Sequence, residues 1–260
     1  MHVHLPKAFH GWRELAKEVG IIVLGVLIAL GFEQLVQIWH WRNETRMTRQ
    51  ELASELSYDA LFAGERVGIE ECLRDRIKDL TAKLNDAGGH WTADPMVFGK
   101  PRKAIAGNVL VTGIPMAYRA PQRPFLSDGW ETAKSSAVLD HMGRDDIHDF
   151  EFAYKGVGEI RTLEDEETSL EPQLSFLSFD QNLDPQSRVQ ALVVLARLDL
   201  LNSDIALIAR QMLAGIRSMD LQLGMLRRLK RVQTFEQSQR NLMQEDRDRF
   251  GGCVRPAPPA

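Results

Sequence analysis

From Val19 to Phe32 the chain reads VGIIVLGVLIALGF, with no charge and no strong hydrogen-bonding side chain. As a helix this run alone rises about 21 Å, short of the roughly 30 Å hydrocarbon layer of a bilayer. The apolar pattern continues beyond Glu33 through Leu35, Val36, Ile38, Trp39 and Trp41. Counted from Val19 to Trp41 the rise becomes about 35 Å, enough to span. Trp12 and Trp39 then stand about 40 Å apart, close to a full bilayer with its headgroups. Glu33 sits about 9 Å inside Trp39, shallow enough to reach the interface. The pattern predicts a short tail over 1–18 and a transmembrane helix over 19–41, marked by Val19, Gly25, Ala29, Phe32, Trp39 and Trp41.

Three other readings compete. A buried helix of a soluble protein has the same run. A cleaved signal peptide would use the basic start (Lys7, Arg13, Lys17) and Ala29-Leu30-Gly31 as its small-x-small site. An in-plane amphipathic helix needs one polar face, whereas this run is apolar all round. The spanning anchor is preferred because the apolar stripe crosses the cleavage site into helix-forming sequence. Gly25 and Ala29, four apart, would let helices approach closely in lipid, although small residues are common in any membrane helix. Glu33, Gln34, Gln37 and His40 read as a solvated interfacial patch. Lys7, Arg13 and Lys17 before the helix balance Arg42, Arg46 and Arg49 after it, so the positive-inside count is tied.

Beyond the anchor, 42–250 reads as a mainly helical soluble domain. Arg42 to Leu84 has no proline, and Leu73, Ile77, Leu80 and Leu84 make one apolar face. Gly88-Gly89 should end that helix. From about 90 to 127 the character changes: Pro95, Pro101, Pro115, Pro121, Pro124 and short β-branched runs such as Asn108–Thr112 predict an irregular excursion, with room for a small hairpin. Helix resumes over Asp128–Met142 and again from Asp145 to about Leu170. Asp184-Pro185 offers an N-cap and a first-turn proline. Leu198, Leu201, Ile205, Ile208, Met212, Ile216, Met219, Leu223 and Leu226 then recur every three or four residues, a bundle or coiled-coil seam. Charges within it exclude a second span. The proline-rich end, 251–260, reads as disordered. The expected fold is all-α: one N-terminal transmembrane helix, then a helical bundle with an irregular Pro-rich excursion.

Composition narrows the function classes more than it names one. With 44% hydrophobic and 26% charged residues the chain is an ordinary folded protein, and its net charge of −4 gives no reason to expect nucleic acid. Cys72 and Cys253 are the only cysteines, too few for a disulfide framework or a four-cysteine zinc site. They could pair in an oxidising compartment, but Cys253 reads as a bystander of the tail. His141, Asp145, His148 and Asp149 come nearest to a metal cluster, yet Gly143 interrupts them and the acids look like helix-start residues. Arg227, Arg228, Lys230 and Arg231 form a basic interaction patch, read as solvated or paired with the acidic run Glu164–Glu167. No phosphate loop or nucleophile elbow is present, and Ser135 and Ser136 near His141 lack a positioned base. Neither catalysis nor a cofactor is expected.

The run ELAKEVGIIVLGVLIALGFEQLVQIWHWRNE (Glu14–Glu44), leading into ELASEL (Glu51–Leu56), resembles an uncharacterised family of bacterial single-pass membrane proteins. Such proteins open with a polar tail, a Gly-Ile-rich helix ending in polar residues and tryptophan, and then a helical region. DGWETAKSSAVLDHM (Asp128–Met142) is similar to a Trp-containing helix of the same proteins. The resemblance implies an envelope protein of the inner membrane with a cytoplasmic N-terminus and a periplasmic bundle. It implies no activity and carries over no functional residues. The expected partners are therefore the lipid bilayer and either a second copy in a homo-oligomer or another envelope protein. The rival expectation is a ligand sensor in which Asp94–Pro124 closes over a pocket between helices.

Overall fold

The computed structural model describes residues 11–96, 116–223, 232–250 and 253–255. Its first element, α1 (Trp12–Asp86), is one unbroken helix of 75 residues. It contains no proline, so every backbone N–H can join the ladder and nothing forces a kink. At about 1.5 Å per residue it is about 110 Å long. Its N-terminal part is long and apolar enough to cross a membrane, and none of the most apolar window is buried. Trp12, Phe32 and Trp39 are 81%, 66% and 71% exposed. The helix stops at the expected glycines, where Gly89 takes φ +105°, a conformation that glycine adopts without strain.

From Leu52 onward one face of α1 turns inward and becomes the spine of the bundle. The remaining helices are α2 (Asp128–Ser135), α3 (Arg144–Leu170), α4 (Pro185–Leu223) and α5 (Val232–Phe250), with 3-10 turns at Ala137–His141 and Glu171–Ser178. Two two-residue strands, β1 (His90–Trp91) and β2 (Gln181–Asn182), pair antiparallel with His90 opposite Asn182. They close the end of the bundle farthest from the apolar segment. The all-α class with an N-terminal span-length helix is thus what the chain adopts.

α4 starts as its sequence predicts. Asp184 Oδ1 accepts from the backbone N–H groups of Gln186 (2.8 Å) and Ser187 (3.0 Å), and Pro185 fills the first helical position. The helix then runs antiparallel to α1. The Leu183 N–H donates to the Gly89 carbonyl (2.8 Å), while lower down Asn202 Nδ2 donates to the Glu70 carbonyl (2.9 Å). Leu198, Leu201, Ile205, Met212, Ile216 and Met219 are all buried, as are Leu73, Ile77, Leu80 and Leu84 on the facing helix. Two apolar clusters result. The lower one gathers Leu52, Leu56, Trp130, Phe150, Tyr154 and Met212; the upper one gathers Leu73, Leu80, Trp91, Leu177, Leu195 and Leu198.

Two expectations need correction. The helix expected over Asp128–Met142 breaks at Ser136, whose extended backbone (φ −106°, ψ 164°) separates α2 from the 3-10 turn. The Ser136 hydroxyl accepts from the Val138 N–H, a local bond that competes with helix continuation. The described part of the excursion, 116–127, is irregular as expected, and it packs on the bundle: Tyr118, Ala120 and Phe125 are buried. The Asn108–Thr112 run lies outside the described residues.

The second correction concerns the C-terminus. Cys253 is bonded to Cys72 across 181 residues of sequence, with Cα atoms 5.3 Å apart. Val254 is buried, and the Arg255 N–H donates to the Gly68 carbonyl at 2.9 Å. Arg255 also pairs with Glu71 at 2.5 Å. Residues 253–255 therefore dock on α1, and Gly68 is what admits them: a Cβ there would lie 3.0 Å from the Arg255 carbonyl oxygen. The remaining tail residues lie outside the described set.

Linking residues so distant removes much chain entropy from the unfolded state. Replacing Cys72 and Cys253 together by serine should lower unfolding free energy by about 2–4 kcal/mol in urea titrations of the full chain. Both thiols reacting with an alkylating agent in the folded, unreduced protein would show that the bond does not form.

Candidate functional site

The two apolar clusters are separated by a charged layer that the sequence did not lead us to expect. Arg66 on α1 is 1% exposed. Its Nη2 lies 2.9 Å from Glu167 Oε2, and its Nε lies 3.8 Å from Glu164 Oε1. The Tyr118 hydroxyl donates to Glu167 Oε1 at 2.9 Å. Burial alone would pull the Arg66 pKa down; Glu167 and Glu164 outweigh it and hold the guanidinium above its ordinary value. The acidic run Glu164–Glu167 is thus engaged within the bundle, because Glu166 forms a two-pronged pair with Arg197 at 2.6 and 2.7 Å. The legible signal was the spacing of Glu164, Glu167 and Glu171, one acidic stripe along a helix that demands a buried cation or donors opposite.

The same carboxylates pin the excursion. Segment 116–129 has no strand partner, so side chains accept its backbone N–H groups instead. Glu171 accepts from Ala120 (2.7 Å), Asp59 from Leu126 (2.8 Å) and Glu55 from Gly129 (2.9 Å). Glu65 clamps Arg123 through two bonds of 2.6 Å. Desolvation is the main reason that Asp59, Glu164 and Glu171 are each pushed up to about 7. These groups hold the segment 116–129 against α1 and α3.

The surface features are of a different kind. Val189, Val193, Leu200 and Leu207 on α4 are 59%, 64%, 49% and 51% exposed. Their steps of four, seven and seven make one stripe along the helix, on the face away from α1, with exposed Ala196 and Ala214 in the same register. Beside its lower end a groove of about 510 Å³ runs between α3 and α4, lined by Gly158, Leu163, Leu207 and Ile208 and edged by Lys155, Glu159 and Asp204. Gly158 leaves it open, with no atom within 4 Å of where a Cβ would stand. α3 and α4 come close at Gly156, where a Cβ would meet the Met212 side chain at 3.3 Å.

Of the expected anchor residues, Val19, Gly25, Ala29, Phe32 and Trp39 all lie on the bare part of α1, and Gly25 faces open space. Trp41 is different. It is half-buried and stacks on His141, with ring centroids 3.9 Å apart and planes at 18°. A second cavity, about 440 Å³, opens at this contact. His141 is thereby engaged by an aromatic ring, and among the described residues no His, Cys, Asp or Glu group is arranged to hold a metal ion. Asp146, which sequence spacing did not single out, pairs with Arg49 across the α1–α3 contact. The basic run Arg227, Arg228, Lys230 and Arg231 lies outside the described residues.

Compared with protein-family models, curated proteins and solved structures, the chain matches none.

The buried layer generates two predictions. Arg66→Ala should cost about 3–5 kcal/mol of stability, because it strands two buried carboxylates, and Arg66→Met, which strands the same two, should cost nearly as much; recovery of most of the loss by Met in denaturant titrations would mean that filled volume rather than charge pairing matters there. The pH dependence has a definite sign. Asp59, Glu164 and Glu171 bind protons more tightly folded than unfolded, so stability falls as pH rises from about 4 through 7. The melting temperature should therefore be higher at pH 5.5 than at pH 8. Asp59→Asn should reduce that difference and add on the order of 1–3 kcal/mol at pH 8.

Proposed function

We propose that this chain is a non-catalytic, membrane-anchored helical protein of the bacterial inner membrane. Its periplasmic bundle acts by binding an amphipathic helix of another envelope protein along α4. The observation that carries the reading is the exposed stripe Val189–Val193–Leu200–Leu207, continued by the α3–α4 groove. Large apolar side chains repeated at coiled-coil spacing on a water-facing helix are what a partner helix buries.

Charge separates the two kinds of partner. Anchored copies of one chain rise from the bilayer side by side, so their α4 helices would meet parallel and in register. In that arrangement Asp199 of one copy falls opposite Asp204 of the other, a like-charge contact. The groove edge also carries Glu159 and Asp204 against a single Lys155. A helix with basic flanks complements this surface better than a second copy does.

Three features support the anchored, periplasmic placement. The apolar part of α1 is span-length and bare. Glu14–Glu44 resembles single-pass bacterial membrane proteins. The Cys72–Cys253 bond suits an oxidising compartment such as the periplasm and not the reducing cytosol. The register of α4 on α1 also gives the stripe a height. Asn202 meets Glu70, so for a helix normal to the bilayer Leu207 stands about 36 Å above Trp41 and Val189 about 63 Å above it. The partner must reach that far from the membrane surface.

A photo-crosslinking residue placed at Leu200 in the full chain, in cells, tests the contact. The expected product is one discrete adduct whose mass differs from twice that of the chain and which disappears when Val193→Asp and Leu207→Asp are introduced. An adduct of twice the chain mass would replace the partner with a second copy; no discrete adduct would sink the stripe as an interface. Protease added to spheroplasts should remove a C-terminal tag and leave a membrane-bound stub. A tag protected until lysis would put the bundle in the cytoplasm.

A further inference from the structure

The cavity at the Trp41–His141 contact has the composition of a lipid headgroup site. It is lined by Gln34, Gln37, Ile38, Trp41, Arg42, Thr45 and His141, and no carboxylate among the described residues borders it. Thr45 is not free to bind a ligand, since its hydroxyl already donates to the Trp41 carbonyl at 2.9 Å. That leaves the amides of Gln34 and Gln37, the His141 ring and the Arg42 guanidinium as polar groups turned to the space.

The three arginines that follow the apolar segment are used differently. Arg46 donates to Asn43 Oδ1 at 2.7 Å, and Arg49 is paired with Asp146. Arg42 is exposed and makes no side-chain hydrogen bond or ion pair with any described residue. Arg46 keeps a charge unpaired among the described residues because Asn43 is neutral, but of the three arginines only Arg42 lines the cavity. Its place along the helix fixes which anion it would meet. Gln34 to Thr45 covers about 16 Å of helix centred near Trp39, the depth of the headgroup layer if Trp12 and Trp39 mark the two interfaces. Gln34, Gln37 and Ile38 lie on the side of the apolar segment, Gln34 deepest, while Arg42 lies toward water.

We propose that this cavity seats one glycerophospholipid of the leaflet facing the bundle. Arg42 binds the phosphodiester, Gln37 and Ile38 flank the glycerol ester region about one turn deeper, and Gln34, about 6 Å deeper than Ile38, closes the end of the seat toward the acyl chains. The Trp41–His141 stack forms the upper wall, so the bound lipid joins α1 to the 3-10 turn Ala137–His141 and fixes the tilt of the bundle over the membrane. The inference rests on α1 spanning the bilayer, and the experiment below reports on that separately.

Full-length chain purified in detergent is titrated with phosphatidylglycerol, phosphatidylethanolamine, diacylglycerol or inorganic phosphate, and bound molecules are counted by native mass spectrometry. One phospholipid of either headgroup should bind per chain, with diacylglycerol and phosphate at least tenfold weaker. Arg42→Gln and His141→Ala should each lower phospholipid occupancy at least fivefold, and Arg42→Lys should retain most of it. The melting temperature serves as the control for folding. Phospholipid occupancy unchanged in both Arg42→Gln and His141→Ala overturns the proposal, as does equal binding of diacylglycerol or of inorganic phosphate. Carbonate extraction of membranes is read in parallel: a chain that washes off disproves the anchor itself, whereas a retained chain with unaltered lipid occupancy in the variants disproves only the lipid seat.

Discussion

The continuity of α1 governs everything above the apolar segment. A helix ladder without a proline transmits direction over its whole length, so the axis of the span-length apolar segment is also the axis of the bundle core. There is no linker between Trp41 and Leu52 to absorb rotation. Any tilt or turn of the apolar segment is therefore passed to the face that packs against α4. The Trp41–His141 stack and the Arg49–Asp146 pair brace this junction from the side. A tethered domain on a flexible linker would sample many orientations; this one is held in a single orientation relative to its own span.

The charged layer around Arg66 is the second constraint, and it follows from the first. A spine helix of this length packs its partners in tiers, and a core of leucine and alanine alone would tolerate a slip of one tier against another. A guanidinium fully removed from water tolerates none: it must meet Glu167, Glu164 and Tyr118 at one height, or remain desolvated without compensation. The layer therefore fixes the register of α3 on α1 and brings residues 116–129 to their carboxylate partners. We regard specificity, rather than net stabilisation, as what the buried charge contributes.

Local features were legible in the sequence and distant ones were not. The span, the glycine stop after α1, the Asp184-Pro185 start of α4 and the apolar faces of both long helices depend on neighbours within a turn or two, and all appear where spacing put them. The break at Ser136 was hidden because a serine hydroxyl serves helix and turn equally well until its partner is known. Arg66 to Glu167 spans 101 residues, and Cys72 to Cys253 spans 181; periodicity carries nothing across such distances. The candidate surfaces divide the same way. The bare, span-length apolar segment of α1 was readable by composition. The α4 stripe was in plain view, yet it was masked by the stronger seam beside it: Val193 and Leu200 adjoin Val194 and Leu201, and only burial shows which pair faces water.

The exposed stripe is best understood through what α4 already gives up to the core. A helix with one apolar face needs about a third of its surface buried; α4 buries that much against α1 and α3 and still shows four large aliphatic side chains to solvent. Val189, Val193, Leu200 and Leu207 are not among the buried residues of either apolar cluster. Exposed among the described residues at coiled-coil spacing, they form the apolar surface on which the proposed partner contact rests. Under the function proposed above, the rigid spine would present that surface at a constant height and azimuth above the membrane. A partner held in the same envelope would then meet it with much of the orientational cost of association already met, which would let a narrow stripe suffice where a free protein would need a broader one.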